Sequence, residues 1–335
     1  MTIGEIEYTY DATKPPNIRR NQFEVPELTH SAVHYPLGFP IDLRTNSPEI
    51  LSQAHDLWSC FEKHFDTEPI RVSVYVEDGG SVECPPAPVT RIMSPLLTWI
   101  VDANNHGIAN LERCTTQIVL SDAVAQNRQY LRYFLLAPSP LCHIVTRYAT
   151  AVHAGCVARN GRGVLLCGDS GAGKSSLSYA CARAGWTFVS DDASFFLNNG
   201  KERLVTGNCH QIRFRSTAKT LFPELEGMEI SPRAAGKPSI ELATTLLPQI
   251  TSAQTAPVDF LVFLNRHAGG RSELVPYRID LARHAIRQRL FGSVESLARQ
   301  YLALERLLKA DLFELRYSDL DWAVDRLDTL VREGR

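Results

Sequence analysis

The chain has 335 residues, of which 44% are apolar and 21% charged, the composition of a globular protein with one large domain or two ordinary ones. Its 35 basic and 37 acidic side chains nearly cancel, so no charge excess points to nucleic acid or a membrane surface as a partner. None of the eight cysteines lies in a C-x-x-C pair, which removes zinc-ribbon and dithiol redox readings. Met1–Tyr10 carries Glu5 and Glu7 and no apolar core, unlike a signal peptide. No apolar run approaches the ~20 residues of a membrane helix. The expectation is a soluble, cytoplasmic protein in a reducing compartment, and a homo-oligomer is compatible with it.

The first ~25 residues are polar and include Pro15-Pro16, the composition of a loosely draped arm. Ile70–Glu77 alternates, with Ile70, Val72, Val74 and Val76 on one face, the period of a half-buried strand. Asp78-Gly79-Gly80 reads as a turn. Leu97–Val101, a turn at Asn104–Gly107 with its return strand, and Thr116–Leu120 extend a small, mostly antiparallel sheet. Asp122 can cap a helix running to about Leu136. Pro138 and Pro140 interrupt that pattern, and a second helix is expected from Cys142 to Tyr148.

From Ala151 the pattern changes. Val164–Cys167 reads as a buried strand, followed by a glycine-rich loop and a helix from Ser175 to about Ala184, stopped by Gly185. Trp186–Ser190 and Ala193–Leu197 read as strands, and Asn199-Gly200 as a hairpin turn. Further strands are expected at Gln211–Arg215, Asp259–Asn265 and Glu273–Tyr277. The run from Arg278 to Arg289 reads as a solvated basic helix face. From Asp280 onward the spacing is helical, as in Leu302, Leu304, Leu307, Leu308 and then Leu320, Val324, Leu327, Leu330. The expected fold class is α/β. A mixed-sheet core, residues 150–335, ends in helices and is preceded by a small antiparallel α+β module, residues 1–149.

Gly168-Asp169-Ser170-Gly171-Ala172-Gly173-Lys174-Ser175 matches G-x-x-x-x-G-K-[ST], the P-loop pattern. Glycines let successive backbone N–H groups turn inward on one phosphate chain. A helix start adds positive potential at the same place. In such a loop Lys174 reaches the β- and γ-phosphates and the Ser175 hydroxyl holds Mg²⁺. The preceding apolar strand and following helix are the context that the motif requires.

Asp191-Asp192 follows Lys174 by 17 residues, at the end of an apolar strand. Adjacent carboxylates repel, and a cation relieves that repulsion. One can hold Mg²⁺ while the other orients or deprotonates an attacking hydroxyl. His153, in Val152-His153-Ala154-Gly155, is an isolated histidine, as readily a packed residue as a functional one.

The string from His153 through Gly168–Ser175 to Ser190-Asp191-Asp192 resembles the C-terminal catalytic domain of HPr kinase/phosphorylase, a family that shares its nucleotide core with ATP-dependent phosphoenolpyruvate carboxykinase. The resemblance spans roughly residues 150–215. It implies a P-loop core of that type and the cofactors ATP and Mg²⁺. Asp192 takes the catalytic carboxylate role, with Asp191, His153 and Lys174 beside it. Gly168 through Ser175, together with Ser176, bind nucleotide, and Ser175, Asp191 and Asp192 hold the metal. Gln211-Ile212-Arg213 lies where the family has Glu-Ile-Arg. Ser176 replaces a Glu, Ala193-Ser194 follows the acidic pair, and Gly236-Lys237-Pro238-Ser239 is only faintly similar to the basic loop of bifunctional members. These differences favour the looser HPr-kinase-like group, some of which phosphorylate a Ser of a precursor peptide. Tyr130–Phe134 also looks like that group. The implied partner is a protein or peptide bearing Ser.

Other classes fit less well. A GTPase base-reading motif, Asn-Lys-x-Asp, is not matched by Asn265-Arg266-His267-Ala268, and no transporter-type Ser-Gly-Gly signature occurs. A small-molecule kinase and a non-catalytic nucleotide-binding protein stay open, because the loop specifies the donor and not the acceptor.

Overall fold

The computed structural model describes residues 27–81, 83–200, 202–231, 234–267, 269–288, 290 and 292–334. The N-terminal arm and Arg289 of the basic run lie outside them. The chain is a mixed α/β protein that divides into two compact units. One holds the described residues up to Tyr35, Pro40–Ser59 and Asp66–Pro140, and the other holds Pro36–Phe39, Cys60–Phe65 and the chain from Leu141 onward.

The first unit is built on β1 (His30–His34), β2 (Ile41–Thr45), α1 (Pro48–Trp58), β3 (Ile70–Glu77), β4 (Val89–Met93), β5 (Leu96–Ile100), β6 (His106–Asn110) and β7 (Thr115–Ser121). These seven strands form one sheet in the order β1-β2-β3-β7-β6-β5-β4. The expected strands at 70–77, 97–101 and 116–120 are present. The sheet is mixed, however, since β2–β3 and β3–β7 pair in parallel. A helical crossover accounts for the first pair, since α1 carries the chain from β2 to β3. The antiparallel meander β4–β5–β6 returns the chain so that β7 runs beside β3 in the same direction. Pro48 opens α1 at its first turn, where no N–H is needed. Ile50, Ala54 and Trp58 recur at helical spacing and are buried, as are Ile41, Leu43, Ile70, Val72 and Val74 of the sheet.

The helix expected from Asp122 to about Leu136 is a chain of short pieces, α2 (Asp122–Gln126), α3 (Arg128–Leu131) and a π-helical turn (Arg132–Leu136). The helix expected over Cys142–Tyr148 starts earlier, as α4 (Pro138–His143) followed by a second π-helical turn (Ile144–Tyr148). Pro138 does not interrupt the helical path. It occupies the first position of α4, where its missing donor costs nothing.

The second unit contains β8 (Ala149–Val152), β9 (Ala154–Arg159), β10 (Arg162–Cys167), α5 (Lys174–Arg183), β11 (Thr187–Ser190), β12 (Ser194–Leu197), β13 (Leu204–Gly207), β14 (Gln211–Phe214), β15 (Ile240–Ala243), β16 (Thr251–Ser252), β17 (Thr255–Pro257), β18 (Phe260–Arg266), β19 (Glu273–Pro276), α6 (Ile279–Arg287), α7 (Val294–Leu307), β20 (Asp311–Tyr317) and α8 (Leu320–Glu333). A seven-stranded mixed sheet has the order β16-β11-β9-β10-β18-β20-β19, beside a four-stranded sheet, β17-β13-β12-β8, and the β14–β15 ribbon. At its centre β10, β18 and β20 are parallel.

Period-two burial along β10 explains the layering. Val164 and Leu166 pack with Leu177 and Cys181 of α5 and with Leu327 and Leu330 of α8. Leu165 and Cys167 pack on the other face with Phe196 and Val205 of the four-stranded sheet and Leu304 and Leu307 of α7. A smaller core joins Tyr179 of α5 to Ile212, Phe214 and Leu242 of the β14–β15 ribbon.

The wholly helical C-terminal end is corrected by β20. It lies between β18 and β19 within the main sheet. Leu315 and Tyr317 are buried on alternate positions, a period-two signal too short to stand out between two long helical patterns.

Candidate functional site

The parallel strands β10, β18 and β20 end at one edge of the main sheet, the edge where open α/β sheets present ligands. There β10 passes directly into Gly168–Gly173, and α5 begins at Lys174. The strand–loop–helix order is the one read from the sequence. Gly173 caps α5 in the left-handed region, φ 99°, which only glycine enters cheaply. A Cβ on Gly173 would stand 2.7 Å from the Tyr317 hydroxyl. Within the loop, Ala172 N–H donates to Asp169 O at 3.0 Å. Asp169, Ser170 and Gly171 are exposed at its tip, and Ser175 and Ser176 are half-buried in the first turn of α5.

Lys174 folds back under this loop with only 5% of its surface exposed. Its ammonium donates to Gly168 O at 3.0 Å and Asp169 O at 3.3 Å. It also lies 2.9 Å from His153 Nε2 and 3.5 Å from Asp192 Oδ1. An ammonium can only donate, so His153 Nε2 accepts, and the ring proton belongs on Nδ1. That nitrogen faces Asp192 Oδ1 at 3.4 Å.

The topology explains why residues so far apart in sequence meet. His153 is the single residue at which the chain leaves the four-stranded sheet (β8) and enters the seven-stranded one (β9). Asp191 to Ala193 make the reverse crossing, from β11 to β12. The two crossings are neighbours because β8 pairs with β12 and β9 with β11. Buried hydroxyls tie the second crossing to the first: Ser190 Oγ and Ser194 Oγ are 2.7 Å apart, and Ser194 Oγ donates to Ala154 O at 3.0 Å. A Cβ on Gly155 would stand 2.5 Å from Ser178 Oγ and 3.0 Å from Asp191 O. Glycine there lets the crossing lie against α5.

The two neighbouring carboxylates face different partners. Asp192 is exposed and turns to Lys174 and His153. Asp191 turns to the ribbon, where its Oδ2 accepts the backbone N–H of Arg213 at 2.8 Å. Burial pushes the Asp191 carboxyl up to about 6, and the charge of Asp192 adds to this, while the Arg213 N–H opposes it. The structure thus brings His153, Lys174 and Asp192 to one point at the loop mouth and turns the neighbouring Asp191 to the backbone of β14.

The sequence reading placed Gln211–Arg215 on a strand but gave Arg213 and Arg215 no role in the site. They alternate with Gln211 along β14 and the residue that follows it. Gln211 Nε2 donates to Glu241 Oε2 at 2.9 Å, and Arg213 Nε lies 3.1 Å from Glu241 Oε1. Arg215 Nη2 donates to Ser170 Oγ at 2.7 Å. The alternation Gln211-Ile212-Arg213-Phe214-Arg215, apolar residues between polar ones, is the signal that could have found the two arginines. Among the described residues, no three His, Cys, Asp or Glu side chains group to hold a metal ion. No helix of the described residues is long and apolar enough to cross a membrane.

The sequence matches no protein-family model, and no curated protein matches it. Among solved structures, it aligns with the HPr(Ser) kinase/phosphatase from Coxiella burnetii at 16% identity and a TM-score of 0.29, over 56% of this chain and 96% of that one.

Proposed function

We propose that the chain is a Mg-ATP-dependent kinase of the HPr-kinase-like type that transfers the γ-phosphoryl group to a serine hydroxyl of a protein or peptide. In this reading residues 150–335 are the nucleotide-binding catalytic domain around a P-loop, working in the cytoplasm. The observation that carries it is the convergence of Lys174, His153 and Asp192 at the mouth of Gly168–Ser175.

The residues fit a nucleotide and its metal. Lys174 sits beneath the loop, where its charge can meet a phosphate chain in place of the carbonyls of Gly168 and Asp169. The α5 N-terminus adds its positive end to the same place. Ser175, Asp191 and Asp192 offer hard oxygen donors of the kind Mg²⁺ takes, usually one or two carboxylates completed by phosphates and water. The raised Asp191 carboxyl is a group whose charge a cation would stabilise. Held by these residues, Mg²⁺ would supply positive charge that offsets the negative charge of the phosphate chain.

Asp192 takes the proton of the acceptor hydroxyl as the new oxygen–phosphorus bond forms and the bond to the ADP oxygen breaks, the bonding pair leaving with ADP. His153 holds Asp192 and Lys174 in register through its two ring nitrogens. Lys174 balances charge on the phosphate oxygens. General-base removal costs about 10²- to 10⁴-fold, so Asp192→Asn should keep ATP affinity and lose turnover by that order. Lys174→Ala should weaken ATP binding itself. The readouts are ATP titration and a mass gain of about 80 Da, one phosphoryl group, on serine peptides. Unchanged turnover in Asp192→Asn sinks the base assignment; tight ATP binding with no transfer to any acceptor favours a non-catalytic nucleotide-binding protein.

A further inference from the structure

The geometry points to Arg215 as a further catalytic residue, a cis-acting arginine that reaches over the phosphate loop and stabilises the charge on the phosphoryl group in flight. The inference rests on the kinase reading.

Arg215 Nη2 donates to Ser170 Oγ at 2.7 Å. A Cβ built on Gly171 would stand 3.6 Å from Arg215 Nη1. The guanidinium therefore lies across the tip of the loop, against its third and fourth residues. Lys174 approaches the same loop from beneath. A phosphate chain cradled by the loop would have one cation on each side.

The backbone beneath Arg215 is fixed. Phe214, the residue before it, is buried edge-on against Tyr179 of α5, ring centroids 5.0 Å apart. Arg215 O accepts the N–H of Ala218, also buried, at 2.9 Å. Because Tyr179 belongs to the helix that follows the loop, the base of Arg215 is tied to the loop's own scaffold. The side chain is exposed, and among the described residues it pairs with no carboxylate. Its neighbour Arg213 is different, held by Glu241 and Gln211. Arg215 is therefore a cation at a built anion cradle with most of its five donors unspent. Its planar fork can bridge two phosphate oxygens at once, which a lysine cannot do.

Charge on the transferred group spreads over its equatorial oxygens as the old bond loosens and the new one forms. A donor placed at the loop tip gains strength at that stage more than in the ground state, which raises turnover rather than affinity.

The test uses the full chain and two probes, Mg-ADP and Mg-ADP with aluminium fluoride, the second mimicking the phosphoryl group in transfer. Wild type should bind the second at least ~10²-fold more tightly, the lower bound for such analogues. Arg215→Ala should keep its Mg-ADP affinity within a few-fold and lose most of that gain. Arg215→Lys should lose less, and added guanidinium should restore binding of the mimic to Arg215→Ala. Turnover of Arg215→Ala should fall by roughly 10³-fold, the scale of an arginine finger. An Arg215→Ala protein that binds both probes like wild type overturns the inference and leaves the kinase reading intact. Equal loss for both probes also overturns it, since Arg215 would then serve ground-state binding. A wild type that binds neither probe overturns the kinase reading, and the role of Arg215 with it.

Discussion

His153 Nε2 lies 2.9 Å from the Lys174 ammonium, and the opposite ring nitrogen faces Asp192 at 3.4 Å. One imidazole therefore spans the cation and the carboxylate of the site, accepting on one side and offering its proton on the other. Removing it withdraws an acceptor from an ammonium that is almost wholly buried. His153→Phe should lower stability by about 1–3 kcal/mol, the cost of an unmet buried donor, and reduce turnover at least tenfold. His153→Gln, which keeps an acceptor oxygen, should recover most of the stability. The measurements are urea unfolding and ADP release. A His153→Phe protein as stable and active as wild type would falsify the bridging role.

The loop itself was legible because its chemistry is contiguous: glycines, lysine and serine sit side by side between a strand and a helix. The meeting of His153 with Asp192 was not, because two sheet crossings far apart in sequence create it, and nothing local marks a residue as a crossing point. Arg215 was hidden for a related reason. Its role depends on β14 standing next to the loop, which is set by Tyr179, Phe214 and the small core around them. The helical signal of α7 and α8 masked β20 between them, so Tyr317, which buttresses Gly173, went unseen. The parallel pairs of the first unit depend on α1 crossing from β2 to β3 and on the β4–β6 meander returning to β3, a matter of connection rather than of residue pattern.

Acid should destabilise the second unit through His143. This histidine is fully buried, and burial, helped by the charge of Arg147, pushes it down from 6.5 to about 4. Between those values the unfolded chain takes up a proton that the folded chain refuses. Stability is therefore whole above pH 6.5 and falls as the pH drops towards 4, by at most about 3 kcal/mol. Asp191 has the opposite slope in the metal-free protein. Its folded value of about 6 exceeds the ordinary 3.8, so the folded chain holds the extra proton and stability falls as the pH rises through that window. The two slopes should largely offset in wild type. Urea unfolding from pH 4 to 7 in a chelator should show His143→Gln losing stability as the pH rises and Asp191→Asn gaining it. Parallel profiles for the three proteins would refute both assignments.

Gly173 and Tyr317 should be coupled in stability. Gly173 has a φ of 99°, and any side chain there costs about 1–2 kcal/mol from backbone strain alone. An added Cβ also meets the Tyr317 hydroxyl at 2.7 Å, whereas the ring carbon bearing that hydroxyl is 4.0 Å away. Tyr317 is fully buried and its ring has no room to retreat. Gly173→Ala should therefore cost about 2–4 kcal/mol, strain plus overpacking. Tyr317→Phe should cost less than about 1 kcal/mol, since its hydroxyl donates only a long 3.4 Å bond to Ala172 O. In the double variant the clash is gone and the strain stays. The double-mutant cycle should therefore return a coupling of about 1–2 kcal/mol, the range for residues in contact. Strict additivity would mean that the loop shifts to make room. ATP affinity in Gly173→Ala would then fall and would not return in the double variant, whereas relief of a fixed clash should restore stability and affinity together.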